Sequence, residues 1–173
     1  MSEPRDERAD GTNDGFRFRH RLQVRFRDCD PMRHANNAVY FTYLEQARFA
    51  YWREVVRVPH SDTRSFILAR AECDYKSAAL PGEWLEVWVR VTSIGRSSFA
   101  FEYHIVSGDD GRLIAAARSV QVMFDYVANR SFQVPEDLIA TLEGYEGRSL
   151  RAPEHSSHRA TPGAVPRSSA SKP

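Results

Sequence analysis

Arg27-Asp28-Cys29-Asp30-Pro31-Met32-Arg33-His34-Ala35-Asn36-Asn37 decides how the rest of the chain is read. Upstream, Phe18, His20, Leu22, Val24 and Phe26 alternate with Arg17, Arg19, Arg21, Gln23 and Arg25, the period of a half-buried strand from Phe16 to Arg27. Pro31 cannot donate to a ladder and ends that strand. Asn36 is a natural N-cap. Beyond it Tyr40, Tyr43, Leu44, Ala47, Tyr51 and Val55 recur at helical spacing to about Val56, and Pro59 is expected to stop the run. An acid at the mouth of a helix N-terminus suits polar chemistry, because free N–H groups and the positive helix end stabilise a developing negative charge.

Working outward, Val39, Phe41, Phe49, Trp52 and Val56 widen the apolar stripe. A helix apolar on most sides is expected to be buried on most sides. A short linker, His60 to Arg64, leads to four strand-like runs. Phe66 to Lys76 places Ile67, Ala69, Ala71, Cys73 and Tyr75 on one face. Pro81-Gly82 turns the chain. Leu85, Val87, Val89 and Val91 then oppose Trp84, Glu86, Trp88 and Arg90. After Gly95, Phe99, Phe101, Tyr103 and Ile105 share a face. Asp109-Asp110-Gly111 is a hairpin signal, and Ile114, Ala116, Val120, Val122 and Phe124 share a face of the last strand. Pro135-Glu136-Asp137 opens a short helix. This order predicts an α+β fold, an antiparallel curved sheet of about five strands wrapped around one long central helix. Trp84 and Trp88 on an outer face predict self-association.

The 173-residue chain carries 24 basic and 23 acidic residues, net charge +1, which calls for neither nucleic acid nor an anionic membrane. Residues 1–15 and 148–173 are poor in apolar side chains and are expected to be disordered tails around one domain, residues 16–147. The second tail is basic: Arg148, Arg151, Arg159, Arg167 and Lys172. With no apolar signal core, no membrane-length segment and only Cys29 and Cys73, a cytoplasmic location is expected.

Asp28-Cys29-Asp30-Pro31 with His34-Ala35-Asn36-Asn37-Ala38-Val39-Tyr40 and Tyr43-Leu44-Glu45-Gln46-Ala47-Arg48 resembles the signature of hotdog-fold acyl-CoA thioesterases of the 4-hydroxybenzoyl-CoA thioesterase family. Tyr75-Lys76-Ser77-Ala78 and Ser93-Ile94-Gly95-Arg96-Ser97-Ser98-Phe99 agree with it less specifically, and the resemblance covers roughly residues 16–145. It implies hydrolysis of an acyl-CoA by a homodimer or homotetramer, with the active site between two subunits. Asp30 matches the catalytic carboxylate, as nucleophile or as general base on water. The Asn37 N–H matches the group that polarises the thioester carbonyl, although some relatives carry His at this position. Arg96, Ser97 and Ser98 match a stretch that some relatives use on the CoA phosphates. His34 is a residue type suited to proton transfer and is equally suited to capping the loop or lining the pocket. Glu45 is the second choice of acid, with an ion pair to Arg48 as its plainer role. Asp28 is expected to be structural, and the Cys29 thiolate to be disfavoured between two acids. Phe41, Tyr51, Phe66 and Phe99 are candidate pocket walls. No cofactor is called for, and Asp28, Cys29, Asp30 and His34 match no closed zinc spacing. Other uses of the fold are acyl-carrier-protein thioester hydrolysis and non-catalytic acyl-CoA or small-molecule binding.

Overall fold

The computed structural model describes residues 15–57 and 64–151. The expectations for most of both tails and for the His60 linker, including Pro59, lie outside the described residues. Strand β1, Phe18–Gln23, is shorter than the alternation implies. It gives way to a single 3-10 turn, Phe26–Asp28, which carries Phe26 out to 90% exposure instead of into the core. Asp28 causes the break: its Oδ2 accepts from the Arg25 backbone N–H and Nε, both at 3.0 Å, which curls the chain.

Helix α1, Val39–Tyr51, runs without interruption into a π turn, Trp52–Val56, so helical winding does reach Val56. Arg57 stops it, in the left-handed region at φ 57°. The helix position next to Val39 is Ala38, but Asn36 does the capping two residues earlier, accepting the Ala38 N–H at 2.9 Å. Tyr40, Tyr43, Leu44, Ala47, Arg48, Ala50 and Tyr51 are buried, whereas Phe41, Glu45 and Phe49 are exposed. Among the described residues α1 therefore packs along one side only. The sheet curls along that side without closing around the helix.

Strands β2 (Arg64–Tyr75), β3 (Trp84–Ile94), β4 (Ser98–Ser107) and β5 (Leu113–Asp125) follow, then two-residue β6 (Arg130–Ser131) and helix α2 (Glu136–Glu146). The sheet order is β1-β3-β4-β5-β2, all antiparallel, with β6 on β5. This is the hotdog arrangement. Leu85, Val87, Val89 and Val91 of β3 and Phe99, Phe101, Tyr103 and Ile105 of β4 are buried as the alternation requires. Two strands depart from it. In β2 a register shift between Leu68 and Arg70 puts Ala69 in a bulge, so Leu68 rather than Ile67 or Ala69 faces the same side as Ala71 and Cys73. In β5 the helix-facing row is Ala115, Ala117, Ser119, Gln121 and Met123 rather than Ala116, Val120, Val122 and Phe124. Hydrophobicity alone favours the other row, because Ser119 and Gln121 look like surface residues.

The core also holds Tyr51, Phe66 and Phe99 together with Trp52; Trp52, Phe66 and Phe99 form a nest of ring contacts between 4.7 and 5.5 Å, so these rings are packing rather than an open pocket wall. Trp84 and Trp88 are not a bare patch. The Arg21 and Arg19 guanidinium groups lie 4.5 and 5.5 Å over their rings, which removes the argument for self-association that rested on them. Past Gly147 the chain stays packed: Leu150 is buried and its carbonyl accepts the Ile94 N–H at 2.7 Å. The packed unit thus extends to Arg151. Among the described residues no helix is long and apolar enough to cross a membrane.

Candidate functional site

The acid loop between the 3-10 turn and α1 is tied across its own base. The Asn36 N–H donates to the Asp28 carbonyl at 2.9 Å, and Cys29 pairs with Ala35. Inside that ring the Asp30 N–H donates to the His34 carbonyl at 3.0 Å and the Arg33 N–H to the Asp30 carbonyl at 2.9 Å. Arg33 takes a left-handed conformation, φ 64°, to complete the turn. A second layer holds the ring against the sheet. The Ala35 N–H donates to the Ala79 carbonyl at 2.8 Å. The Ala78–Pro81 segment is in turn fixed by Arg112, whose Nη1 donates to the Ala78 carbonyl and whose Nη2 donates to buried Glu83 at 2.6 Å. Neither Glu83 nor Arg112 stands out in the sequence, because they meet only across the β3–β5 end of the sheet.

The two acids of the loop have different surroundings. Asp28 is buried, and its Oδ2 accepts three hydrogen bonds, two from Arg25 and one from the Tyr43 hydroxyl, each at 3.0 Å. Burial pushes its pKa up, but the hydrogen bonds from Arg25 and Tyr43 outweigh burial and hold it below the usual value. Tyr43 is correspondingly pushed up, by burial and by the Asp28 carboxylate. Asp30 is half-buried: Oδ1 accepts the Met32 N–H at 2.9 Å, and Oδ2 stands 3.5 Å from His34 Nδ1. One carboxylate oxygen therefore keeps capacity for a further donor. Burial first, then the charges of Asp28 and Asp30, raise the Cys29 thiol pKa.

Asn37 is exposed at the start of the helical winding, and its N–H has no acceptor among the described residues. Its carbonyl accepts from the Tyr75 hydroxyl at 2.8 Å, which anchors the helix start to the end of β2. Asp30, His34 and Asn37 are thus brought together in one loop. Arg96, Ser97 and Ser98 are not. They form the β3–β4 hairpin, whereas the acid loop abuts the Trp84 end of β3 through the Gln23–Trp84 pairing. An eleven-residue strand separates the two ends by roughly 30 Å. Arg96 is exposed there, and the Ser97 carbonyl accepts the Met123 N–H at 2.9 Å. Glu45 is exposed and does not pair with Arg48, which turns inward to the Tyr103 hydroxyl at 3.2 Å. The i, i+3 spacing suggested a surface pair; Arg48 instead lies four residues after Leu44 and three before Tyr51, on the buried stripe. That spacing was the signal that could have found it. Among the described residues no three of His, Cys, Asp and Glu stand close enough to hold a metal ion.

Comparison with known proteins agrees with this architecture. The family model described as the thioesterase-like superfamily matches residues 24–142. A thioesterase from Thermus thermophilus, solved with coenzyme A and zinc, is 35% identical with a TM-score of 0.71, over 79% of this chain and 99% of that one. A 1,4-dihydroxy-2-naphthoyl-CoA thioesterase from Synechocystis, 17% identical with a TM-score of 0.63 over 72% of this chain and 94% of its own, shares the fold. The Bacillus subtilis (strain 168) protein YsmA is 30% identical over 88 residues, 51% of this chain and 60% of YsmA, so the match spans less than two thirds of that curated relative. With the acid loop, the helix and four of the five long strands inside the matched region, the chain belongs to the thioesterase-like superfamily.

Proposed function

We propose that this protein hydrolyses an acyl-CoA to the free acid and CoA. The observation that carries the proposal is the pairing, in one internally bonded loop, of a carboxylate with spare acceptor capacity and a helix-start N–H with no acceptor among the described residues. The thioester carbonyl oxygen would accept from the Asn37 N–H, so that negative charge developing on it meets the positive end of α1. As general base, Asp30 removes a proton from water while the water oxygen bonds to the acyl carbon; the C–S bond then breaks and the thiolate leaves as CoA. As nucleophile, an Asp30 oxygen bonds to the acyl carbon, the thiolate leaves, and water opens the resulting anhydride. A thiolate leaves without strong acid assistance, so neither route needs a general acid. His34, 3.5 Å from Asp30, orients that carboxylate.

Arg96, Ser97 and Ser98 would serve the CoA phosphates of a site on another copy, since their hairpin and the acid loop occupy opposite ends of one protomer. That reading requires a homodimer or homotetramer. The test is hydrolysis of short, long and aromatic acyl-CoAs by the full chain, followed with a thiol-reactive dye. Turnover that falls by at least about a hundredfold in Asp30→Asn supports the mechanism. Undiminished turnover overturns it, and tight acyl-CoA binding with no turnover would instead select a binding protein.

A further inference from the structure

Arg48 is 5% exposed, and among the described residues no carboxylate lies within ion-pair distance of it. Its Nη1 donates to the Tyr103 hydroxyl at 3.2 Å, while its Nε has no acceptor. The Tyr103 hydroxyl shares a 2.7 Å hydrogen bond with Ser119 Oγ, which also accepts from Gln121 Nε2 at 2.9 Å. Gln121 is fully buried, and its Oε1 is unpartnered too. A guanidinium stays protonated at any physiological pH, and neutral hydroxyls do not cancel its charge. A cation buried without a counter-charge is strongly disfavoured. Four polar residues from α1, β4 and β5 therefore meet on the inner side of the sheet with one positive charge unbalanced and two polar atoms unused.

We propose that this cluster is a receptor for a carboxylate at the far end of the acyl chain, which makes the protein selective for ω-carboxyacyl groups. The inference rests on the acyl-CoA reading above. Two features fit an extended acyl chain reaching the cluster. Arg48 lies eleven residues beyond Asn37, roughly 16 Å along the helical winding at 1.5 Å per residue. And the inner side of the sheet is uncovered beside the cluster: Leu68, the register partner of Gln121, is 51% exposed. An apolar chain would lie along that opening, with its terminal carboxylate accepting from Arg48 Nε. A protonated terminus would use the Gln121 carbonyl instead.

The test compares dodecanedioyl-CoA with lauroyl-CoA, equal in chain length, on the full-length protein and on Arg48→Met, Tyr103→Phe and Gln121→Leu. The proposal expects kcat/KM to favour the dioyl ester on the order of tenfold or more, and the ratio to collapse toward one in Arg48→Met. Tyr103→Phe and Gln121→Leu, expected to reduce the ratio by lesser amounts, carry the test if Arg48→Met does not fold. Equal rates for the two esters, or a ratio unmoved by all three variants, overturn it and leave a structural polar cluster. Calorimetry with free dodecanedioic and lauric acids separates the two readings. Diacid binding that is lost with Arg48, in a protein that turns over no thioester, retains the receptor and sinks the hydrolase; thioester turnover with no diacid preference does the reverse.

Discussion

The Tyr75 hydroxyl donates to the Asn37 carbonyl at 2.8 Å, so the last residue of β2 fixes the orientation of the peptide units that open the helix. The Tyr75 ring also meets Tyr40, the second residue of that helix, edge-on at 5.0 Å. The edge strand β2 and the N-terminal end of α1 are therefore tied together by a hydrogen bond and a ring contact.

Tyr75→Phe keeps the ring contact and removes the hydroxyl, which bonds the Asn37 carbonyl and also meets the Cys73 thiol. Because Tyr75 is partly exposed, the stability cost is small, about 0.5 kcal/mol. Turnover should suffer more, with kcat down about three- to tenfold at nearly unchanged KM, since the lost bond orients the Asn37 peptide rather than holding substrate. Steady-state kinetics beside a thermal melt separates the two effects.

Asp28→Ala removes the acceptor shared by Arg25 and Tyr43 and should cost about 2 kcal/mol at neutral pH. The pH dependence has a definite sign. Asp28 has a native pKa below its ordinary 3.8, so its contribution is full above that value and is lost as pH falls through the native one. Urea melts at pH 7 and pH 3 should show the wild-type advantage over Asp28→Ala shrinking in acid.

Tyr51→Phe takes from buried Glu146 the hydroxyl that donates to its Oε1 at 2.7 Å, leaving the Val91 N–H at 2.9 Å on the same atom. This trio joins α1, β3 and α2. The expected loss is about 1–2 kcal/mol, seen as a melting temperature lower by about 5 °C.

Cys73 is pushed up to about 11, chiefly by burial, and Cys29 is raised as well. Only the thiolate reacts with disulfide reagents. At pH 7 both should label slowly in the native protein and rapidly in denaturant. Fast native labelling of either would show an environment unlike the one described.

Much of this was legible in the chain because β3 and β4 obey strict alternation: Leu85 to Val91 and Phe99 to Ile105 are buried where the period of two requires. The loop was legible for a different reason, since Pro31 and Asn36 each impose a local backbone geometry. What escaped depended on packing. The Ala69 bulge shifts the parity of β2, and no pattern within one strand reveals it. The inward row of β5 carries Ser119 and Gln121, whose place becomes clear only when Arg48 and Tyr103 are set opposite. Phe26 looks like core until Asp28 bends the chain. For β5 and for Phe26 a polar group set the outcome, and its partners lay elsewhere in the chain.

The bonds that close the acid loop on itself have a kinetic meaning. With Asn36 N–H on the Asp28 carbonyl, Asp30 N–H on His34 and Ala35 N–H on Ala79, the carboxylate and the helix-start N–H are ordered when the chain folds. The entropy of aligning them is spent before substrate arrives. On the proposed mechanism, the acid loop itself needs no rearrangement before it meets substrate. The rate should follow substrate entry and chemistry, with no added step for assembling the loop.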